Sequence, residues 1–422
     1  MPRAGSRNLV SQVERDEVHS VMKVPSRAFS ALVLITFLCM FNQTFVVPSI
    51  KEIVIDRFDA STTEASLFVS VEMVAYIIFA IVWGTVSDRS GRRKDLIVIG
   101  LLGSSGLYFA MSLADSLAML LALRFAQGAF TVMAWSLVMT MALDITDKKE
   151  YGASMGVLGT GLALGLGLGS PIGGIAGDYG ALVPLYVASA TYLATALLAV
   201  VLISDLPTTR TRGSLRRALS RAAEDRRIVA PYIFSFAERF SSGYFVILLP
   251  LYMAHEFDAA PSERGMFMGA FLLAFAFLQY PFGKLSDKHG RRWMLVGGGA
   301  AYACLFGVLG TLDEASLLVA MIACGALAAM LFPASVAVLA DLCSRQERAT
   351  LMGGFNALGS LGFAIAPIMA AVLAEEFGYA ESFLSGGGVI VLCVLCAVPF
   401  LRKTTVGPKG EECVPTPAER NL

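Results

Sequence analysis

Long apolar runs dominate this chain, and short polar segments separate them. A helix needs ~20 predominantly apolar residues to cross the ~30 Å hydrocarbon core of a bilayer, and twelve runs approach or exceed that length. They cover residues 29–48, 65–86, 96–113, 117–143, 154–175, 182–203, 228–252, 267–285, 294–311, 316–340, 351–373 and 383–401. The pattern therefore predicts an all-α polytopic membrane protein with twelve transmembrane helices. No small-residue cleavage site follows the first run, so we expect it to be retained as a helix.

The distribution of basic residues predicts how these helices are oriented. With the N-terminus inside, 28 of the 33 Lys and Arg residues fall in the inner segments, whereas the outer loops hold only Lys51, Arg57 and Arg264. This bias is what the positive-inside rule requires. We therefore expect a multi-pass protein of the cytoplasmic membrane with both termini in the cytoplasm. The formal net charge of zero gives no reason to expect nucleic acid as a partner.

One short polar motif occurs twice between apolar runs. Residues 84–94 read GTVSDRSGRRK and residues 283–293 read GKLSDKHGRRW, so a G-x-x-x-D-x-x-G-R-R pattern recurs 199 positions later. Residues 144–156 align in turn with residues 341–353 at an offset of 197. The sequence therefore predicts one six-helix unit that is used twice.

The duplication divides the chain into five predicted segments. These are a cytoplasmic N-terminal segment 1–28, a six-helix bundle 29–203, a basic cytoplasmic linker 204–227, a second six-helix bundle 228–401 and a cytoplasmic tail 402–422. The linker has leucines and alanines at helical spacing opposite arginines, which suits either a helix on the anionic inner leaflet or a solvated connection.

The repeated turn resembles the loop between the second and third helices of the major facilitator superfamily, and its repeat between helices eight and nine. The resemblance spans residues 29–401. It implies two pseudo-symmetric six-helix bundles with a substrate site between them near the midplane. It also implies a secondary transporter that works by alternating access rather than an enzyme. The driving force would be a proton gradient, with no bound cofactor and no metal.

The two turns are predicted to form a cytoplasmic gate. Its residues are Gly84, Asp88, Arg89, Gly91, Arg92 and Arg93 in the first copy and Gly283, Asp287, Gly290, Arg291 and Arg292 in the second. The resemblance implies that Asp88 contacts the start of the eleventh helix, where a helix N-terminus favours negative charge. By symmetry Asp287 would face the fifth helix. Such contacts would hold the cytoplasmic side shut, and the alternative is that the basic turns only fix topology.

The fifth apolar run is rich in glycine. Gly165, Gly169, Pro171, Gly173 and Gly174 form a pattern similar to the fifth-helix motif of the exporter and antiporter branches of the superfamily. Closely spaced glycines let two membrane helices approach each other, and proline bends a helix. The resemblance therefore favours an antiporter.

Four charged residues lie deep inside apolar runs: Glu72, Arg124, Glu238 and Arg239. A charge at the centre of a membrane helix costs at least ~2.5–3.5 kcal/mol on insertion scales, so such residues face a cavity, pair or neutralise. Arg124 and Gln127 stand in a sequence that resembles the fourth-helix R-x-x-Q-G motif of proton-coupled members. We therefore predict that these residues carry proton coupling or line the substrate cavity.

The internal repeat provides a comparison for the polar residues of the first half. Arg124 aligns with Met321 and Gln127 with Cys324 at an offset of 197, and Glu72 aligns with Phe271 at 199. The fold therefore does not require polar groups at these positions, which favours a functional role. The alternative is a static ion pair between Glu72 and Arg124 that joins helices two and four.

Two amide side chains in the first helix complete the predicted substrate cavity. Asn42 and Gln43 are candidates to hydrogen-bond a substrate, and they are equally able to bind backbone or water. The chain is thus predicted to export amphipathic small molecules by proton antiport, as a monomer in the lipid bilayer. Two alternatives are a transporter of one metabolite (a sugar, an organic acid or a lipid-like molecule), possibly an importer, and a transporter-like receptor that moves nothing.

Overall fold

The computed structural model describes residues 27–90, 92–145, 151–203, 225–342 and 348–401, and these form helices and turns without a β-strand. We name the long helices α1–α12 in chain order. They are α1 Arg27–Phe45, α2 Thr62–Ser90, α3 Arg93–Ser112, α4 Leu117–Asp144, α5 Tyr151–Asp178, α6 Val183–Leu202, α7 Val229–Glu256, α8 Pro261–His289, α9 Arg291–Thr311, α10 Glu314–Asp341, α11 Arg348–Phe377 and α12 Tyr379–Leu401. The predicted all-α, twelve-helix fold is confirmed.

Eleven of these helices are long and apolar enough to cross a membrane, judged over the part of the chain that the structure describes. The remaining one, α7, is 28 residues long. It falls outside the group because Glu238 and Arg239 lower its hydropathy. It nevertheless lies inside the second half of the bundle, where it contacts α11 and α12.

Most of the observed helices extend beyond the predicted runs at one or both ends, and α8 does so most, whereas α6 lies within its run. Hydropathy predicts a start at residue 267, whereas α8 begins at Pro261. Proline is favoured in the first turn of a helix because its missing N–H has no partner there anyway. Glu263 adds a cap, since its carboxylate accepts a hydrogen bond of 2.8 Å from the backbone N–H of Ala260. The first turn of α8 is therefore polar and helical, which an apolar pattern alone does not reveal.

The chain stays helical after α1 instead of forming a plain loop. A 3-10 turn covers Val47–Ser49, a π-helical turn covers Lys51–Ile55, and a short α-turn covers Asp56–Phe58. The left-handed backbone of Asp59, with φ of 53°, then ends the segment. This connection sets Glu52 beside the second half of the molecule, as described below.

The two halves use the same helix pairings. Helix α1 contacts α5, α2 contacts α4 and α3 contacts α6, and correspondingly α7 contacts α11, α8 contacts α10 and α9 contacts α12. Most buried apolar side chains of both halves form one continuous cluster, and a smaller separate cluster in the second half surrounds Phe355. The linker region 204–224 and both tails lie outside the described residues, so the predicted segment boundaries stay predictions.

Two glycines show that the repeat extends to atomic packing. A side chain at Gly165 would meet the carbonyl of Phe37 and the backbone nitrogen of Phe41. Gly362, 197 positions later, faces Phe236 and Phe240 through the same two backbone atoms. In each half a glycine thus lets the fifth helix of the unit touch the backbone of the first.

The halves meet along two helix pairs, α5 with α8 and α2 with α11. We call the end that carries the turns 84–94 and 283–293 the basic end, and the other end the opposite end. At the opposite end Gly174 lies against Pro261, and the Asp178 carboxylate accepts a hydrogen bond of 3.0 Å from the backbone N–H of Ser262. The opposite end is therefore closed by contacts between the halves.

Toward the basic end, Gly84, Gly156, Gly159 and Gly353 have no described atom other than their own helix backbone within 4 Å of where a side chain would begin. Gly156, Gly159 and Gly353 are also exposed. The structure describes one conformation of the bundle, which contacts between the halves close at the opposite end.

Candidate transport site

Arg124 on α4 is a fully buried cation with partners on every side. Its Nη2 donates to Glu72 Oε2 of α2 at 2.6 Å, and both side chains are only 2% exposed. Its Nε donates to the carbonyl of Phe68 at 3.3 Å, and the guanidinium lies 4.4 Å from the centre of the Phe68 ring. An ionised pair desolvated to this degree needs such additional hydrogen bonds. The ion pair between helices two and four, which the sequence left open, is therefore present.

The network continues from Arg124 into α3 and along α4. Arg124 Nη1 donates to the hydroxyl of Tyr108 at 2.8 Å and to Gln127 Oε1 at 2.9 Å. Gln127 Nε2 donates to Thr131 Oγ1 at 2.6 Å, and that hydroxyl lies 2.9 Å from Ser104 Oγ. The structure thus brings Glu72, Arg124 and Gln127 together, as predicted. Sequence reasoning missed Tyr108, because one tyrosine in an apolar helix does not stand out from ordinary core residues.

Gln43 and Tyr76 cover the carboxylate of Glu72. Gln43 Nε2 donates to Glu72 Oε2 at 3.3 Å, and the Tyr76 hydroxyl donates to Gln43 Oε1 at 2.7 Å. Both covering residues are half-buried, whereas Glu72 is 1% exposed. Glu72 Oε1 is buried and accepts no hydrogen bond from the described residues. One carboxylate oxygen therefore retains free acceptor capacity, to which a proton can be added.

Asn42 does not join this network. Its Nδ2 donates to the carbonyl of Leu38 on its own helix at 3.0 Å, and its Oδ1 is buried with no hydrogen-bond partner among the residues described. The next residue but one, Thr44, donates to the carbonyl of Leu166 on α5 at 2.8 Å. Of the two predicted amides of α1, only Gln43 thus touches an ionisable group.

Glu238 on α7 is buried in the second half, at 7% exposure. The Nε of Arg239 lies 3.5 Å from Glu238 Oε2, with the Arg239 side chain 36% exposed. Oε2 accepts no hydrogen bond within the described part of the chain. Among the described residues, the ion-pair partner of Glu238 is thus its neighbour in sequence, which reaches it from a more exposed face.

The serines near Glu238 bind protein atoms. Ser235 Oγ donates to the carbonyl of Phe355 at 2.8 Å, and Ser241 Oγ donates to the carbonyl of Glu238 at 2.8 Å. Tyr302 of α9 then donates to Ser241 Oγ at 2.9 Å. This side of α7 therefore faces the interior of the second half, while Arg239 and Ser242 lie on its less buried side.

The positions that correspond to the Glu72 network are apolar in the second half. Met321 and Cys324 are 0% exposed and Phe271 is 5% exposed. The backbone frame is the same, because Gly128 faces the carbonyl of Glu72 and Gly325 faces the carbonyl of Phe271. The ionisable network is thus an addition to the first half that the shared fold does not need.

The first predicted gate turn is only partly described. The side chains of Asp88 and Arg89, and the whole of Gly91, lie outside the described residues, so the gating role of Asp88 stays a prediction. Arg92 is exposed and lies 4.0 Å from Asp95, whereas Arg93 is buried at 4% exposure.

In the second turn, the side chain of Asp287 likewise lies outside the described residues. Arg291 forms an ion pair with Asp341 at the end of α10, and Arg292 is exposed. Gly290 has φ of 91° and separates α8 from α9, a conformation that favours glycine. The nearest neighbour of Gly283 is Pro333, whose Cβ lies 3.8 Å from the point where a side chain at residue 283 would begin. This turn therefore ties α9 to α10 inside the second half.

The glycine motif of α5 has two faces. Gly165, Gly169 and Gly173 lie directly on backbone carbonyls of α1, with no room for a side chain. Gly174 and Pro171 face α8 instead, where they meet Pro261 and Gly269. One face of α5, with Gly165, Gly169 and Gly173, thus packs on α1 in its own half. The other face, with Pro171 and Gly174, packs on α8 in the second half. Small residues at such positions let the backbones of neighbouring helices approach closely.

An apolar groove of about 600 Å³ runs between α2 and α11. Its lining is Val74, Ile77, Ile78, Leu361, Ala364, Ile365, Ile368, Met369, Val372 and Leu373. It lies where the two halves meet. Across the described residues, no group of three or more His, Cys, Asp or Glu side chains is placed to hold a metal ion.

The sequence of the chain is similar to known proteins over most of its length. The sequence model of the Major Facilitator Superfamily matches residues 32–236 and again residues 231–417. The chain is 22% identical over 403 residues to the class H tetracycline resistance protein of Pasteurella multocida, a match that covers 91% of this chain and 98% of that protein. It is 29% identical over 176 residues to the uncharacterized transporter YceJ of Bacillus subtilis, but spans only 44% of its length.

A solved structure has the same fold. The bacterial homologue of the human lysosomal transporter Spinster, in an inward-facing and occupied conformation, superposes with a TM-score of 0.75 at 15% identity, over 90% of this chain and 97% of that one. Twelve helices in two equivalent halves, with a buried ionisable network, define a multi-pass membrane transporter rather than an enzyme. Since the family model matches nearly the whole chain, the protein belongs to the Major Facilitator Superfamily.

Proposed function

We propose that this protein exports amphipathic small molecules across the cytoplasmic membrane in exchange for protons, by alternating access. The observation that carries the proposal is that two carboxylates are buried within the membrane helices: Glu72, which pairs with Arg124 at 2.6 Å, and Glu238, which lies 3.5 Å from Arg239. Intramembrane ionisable residues are costly and therefore indicate function.

The two buried carboxylates differ in how firmly they are held. Glu72 has a guanidinium at 2.6 Å and an amide donor at 3.3 Å, whereas Glu238 has only Arg239 at 3.5 Å. Fewer contacts stabilise the ionised form of Glu238, so it exchanges a proton at a smaller cost. Accordingly, Glu238 carries the coupled proton, and the Glu72–Arg124 pair holds α2 and α4 together in the first half. Glu72 is the second candidate for the coupled proton.

Three observations support the direction of transport and the substrate class. The basic end matches the predicted cytoplasmic side, so in the observed state the contacts between the halves close the side away from the cytoplasm, as a state that loads substrate from the cytoplasm requires. The groove between α2 and α11 is lined only by apolar side chains, most of them exposed, so it offers an apolar surface to a substrate and equally to a lipid chain. The relative that aligns over 91% of the chain is named for tetracycline resistance.

Proton flux in proteoliposomes tests the function. Purified protein is reconstituted in vesicles with an acidic lumen, and the luminal pH is followed while lipophilic cations, sugars or organic acids are added. Dissipation of the gradient by lipophilic cations supports the proposal. Dissipation by sugars or acids alone favours a metabolite transporter. Folded protein that gives no substrate-linked flux with any compound favours the receptor alternative.

A further inference from the structure

The sequence leaves three basic residues on the predicted outer side, and two of them have local structural roles. Lys51 Nζ lies 2.9 Å from Asp56 Oδ2 on the same connection, with both side chains well exposed. Arg57 binds three backbone carbonyls at and beyond the end of α3, at 3.0, 2.9 and 2.6 Å. Those carbonyls belong to Met111, Ser112 and Ala114. Cations are favoured at a helix C-terminus, so both residues stabilise the first half alone.

The third, Arg264, is placed differently. Its side chain is 2% exposed and lies in the first turn of α8, within the second half. Its Nη1 donates to Glu52 Oε2 at 3.2 Å, and its Nη2 forms an ion pair with Glu52 Oε1. Glu52 belongs to the π-helical turn after α1, within the first half. A bidentate arginine–carboxylate pair thus crosses the boundary between the halves.

This pair lies within the layer that closes the opposite end. Beside it, Gly177 of α5 faces both Ser49 and Pro261. On the other helix pair, the Glu375 carboxylate at the end of α11 accepts a hydrogen bond of 3.0 Å from the backbone N–H of Thr63 at the start of α2. The Glu52–Arg264 pair is the most deeply buried of these polar contacts, since the side chain of Glu52 is 21% exposed and that of Arg264 only 2%.

We infer that Glu52 and Arg264 form the latch that keeps the opposite end closed, and that the pair separates each time the halves open there. The inference rests on the proposed alternating access, but not on the proposed substrate or coupling ion. Within the described part of the chain, the closed state shows no other ion pair of Glu52 or Arg264, and the Nε of Arg264 has no hydrogen-bond partner there. Removing Glu52 leaves a buried unpaired cation, which is strongly unfavourable. Opening hydrates that cation and relieves the cost.

The Lys51–Asp56 pair provides a matched control. It is also an ion pair on the same connection, with side chains 37% and 47% exposed, but both partners belong to the first half. Exposed pairs of this kind contribute little to stability. Neutralising Asp56 therefore changes the local charge as much as neutralising Glu52 does, without changing any contact between the halves.

Thiol labelling of position 49 tests the latch. Ser49 is 0% exposed in the closed layer, so Ser49→Cys in a chain without its native cysteines reports opening. An impermeant thiol reagent is applied to each membrane side separately. From the side of the opposite end, we expect Glu52→Gln to raise the labelling rate by roughly tenfold or more, and Asp56→Asn to leave it unchanged. The exchanged pair Glu52→Arg with Arg264→Glu should restore slow labelling.

The latch is contradicted if Glu52→Gln labels like the parent, if Asp56→Asn gives the same increase, or if the folded exchanged pair labels as fast as Glu52→Gln. Should Glu52→Gln fail to insert, Glu52→Asp replaces it, since that change keeps the charge and shortens the side chain by one methylene. An intermediate increase then supports the latch, and no increase opposes it. Labelling requires no transported substrate. The labelling result can therefore be interpreted even if no compound produces proton flux in the proteoliposome assay.

Discussion

The guanidinium of Arg124 lies 2.6 Å from the carboxylate of Glu72, and both side chains are only 2% exposed. The pair joins α4 to α2, and Gln43 links the same carboxylate to α1. Because each charge compensates the other, the pair is electrically neutral as a unit. Loss of either member leaves an unpaired charge in a dry environment. The pair therefore affects stability as well as transport.

We expect Glu72→Gln to lower the stability of the folded protein by about 3–5 kcal/mol, the cost of breaking a buried ion pair. Thermal unfolding in detergent measures the change. The double variant Glu72→Gln with Arg124→Gln should recover part of the loss, because it removes both charges. Asp56→Asn breaks an exposed pair instead and should cost less than ~1 kcal/mol. Equal losses in both variants would contradict the importance assigned to burial.

Glu238→Gln should abolish substrate-driven proton flux and leave membrane insertion intact. Glutamine has nearly the same shape as glutamate but does not exchange a proton, and Glu238 Oε2 accepts no hydrogen bond within the described part of the chain. Parallel assays of uncoupled substrate exchange and proton flux separate binding from coupling. Ser242→Ala is the control, because it alters the same helix without changing a carboxylate. Unchanged coupling in Glu238→Gln would transfer the role to Glu72.

Gly173→Ala should destabilise the first half by about 1–3 kcal/mol, the usual cost of overfilling a packed site. A methyl group there would overlap the carbonyl of Phe45 on α1. Gly159→Ala on the same helix is the control, because nothing lies within 4 Å of its position, and alanine is the better helix former there. Thermal unfolding distinguishes the two. A Gly173→Ala protein as stable as Gly159→Ala would show that α1 and α5 are not in direct backbone contact.

Asp88→Asn tests the predicted gate in the first turn. If the carboxylate braces the closed basic end against a helix N-terminus, its loss should weaken that closed state by ~1–2 kcal/mol. The population then moves toward the state that is open at the basic end, about tenfold per 1.4 kcal/mol. Transport should slow while substrate still binds. A cysteine on the basic side of the cavity should react faster with an impermeant reagent from that side. If labelling and transport both match those of the parent protein, the turn serves only to fix the topology of the helices.

The sequence was sufficient for the helices, because a bilayer forces each span to be long and apolar. It was less informative where polar side chains are buried by contacts between elements. The buried pair that Arg264 forms with Glu52, more than two hundred positions away, is one example, because no local pattern contains that pairing.

The candidate site, too, could be predicted from the sequence only in part. The internal repeat identified Glu72, Arg124 and Gln127 as unusual, since their partners by alignment are apolar, and the structure places them in one network. Tyr108 and Tyr76 went unnoticed because tyrosines are common in apolar helices. Glu238 was expected to line the cavity or to carry the proton, but the sequence does not reveal that its neighbours Ser235 and Ser241 donate to backbone carbonyls inside the second half. Helix periodicity predicts which residues share a face, but not which neighbour that face meets.

Substrate-driven proton movement without an imposed proton gradient tests the central claim most directly. Vesicles are loaded with a lipophilic cation that is active in the flux panel, the membrane potential is clamped, and the vesicles are diluted at equal pH inside and outside. Antiport predicts that the lumen acidifies as the cation leaves, and that Glu238→Gln removes this acidification. Cation loss without any pH change, or with luminal alkalinisation, would contradict proton-coupled export.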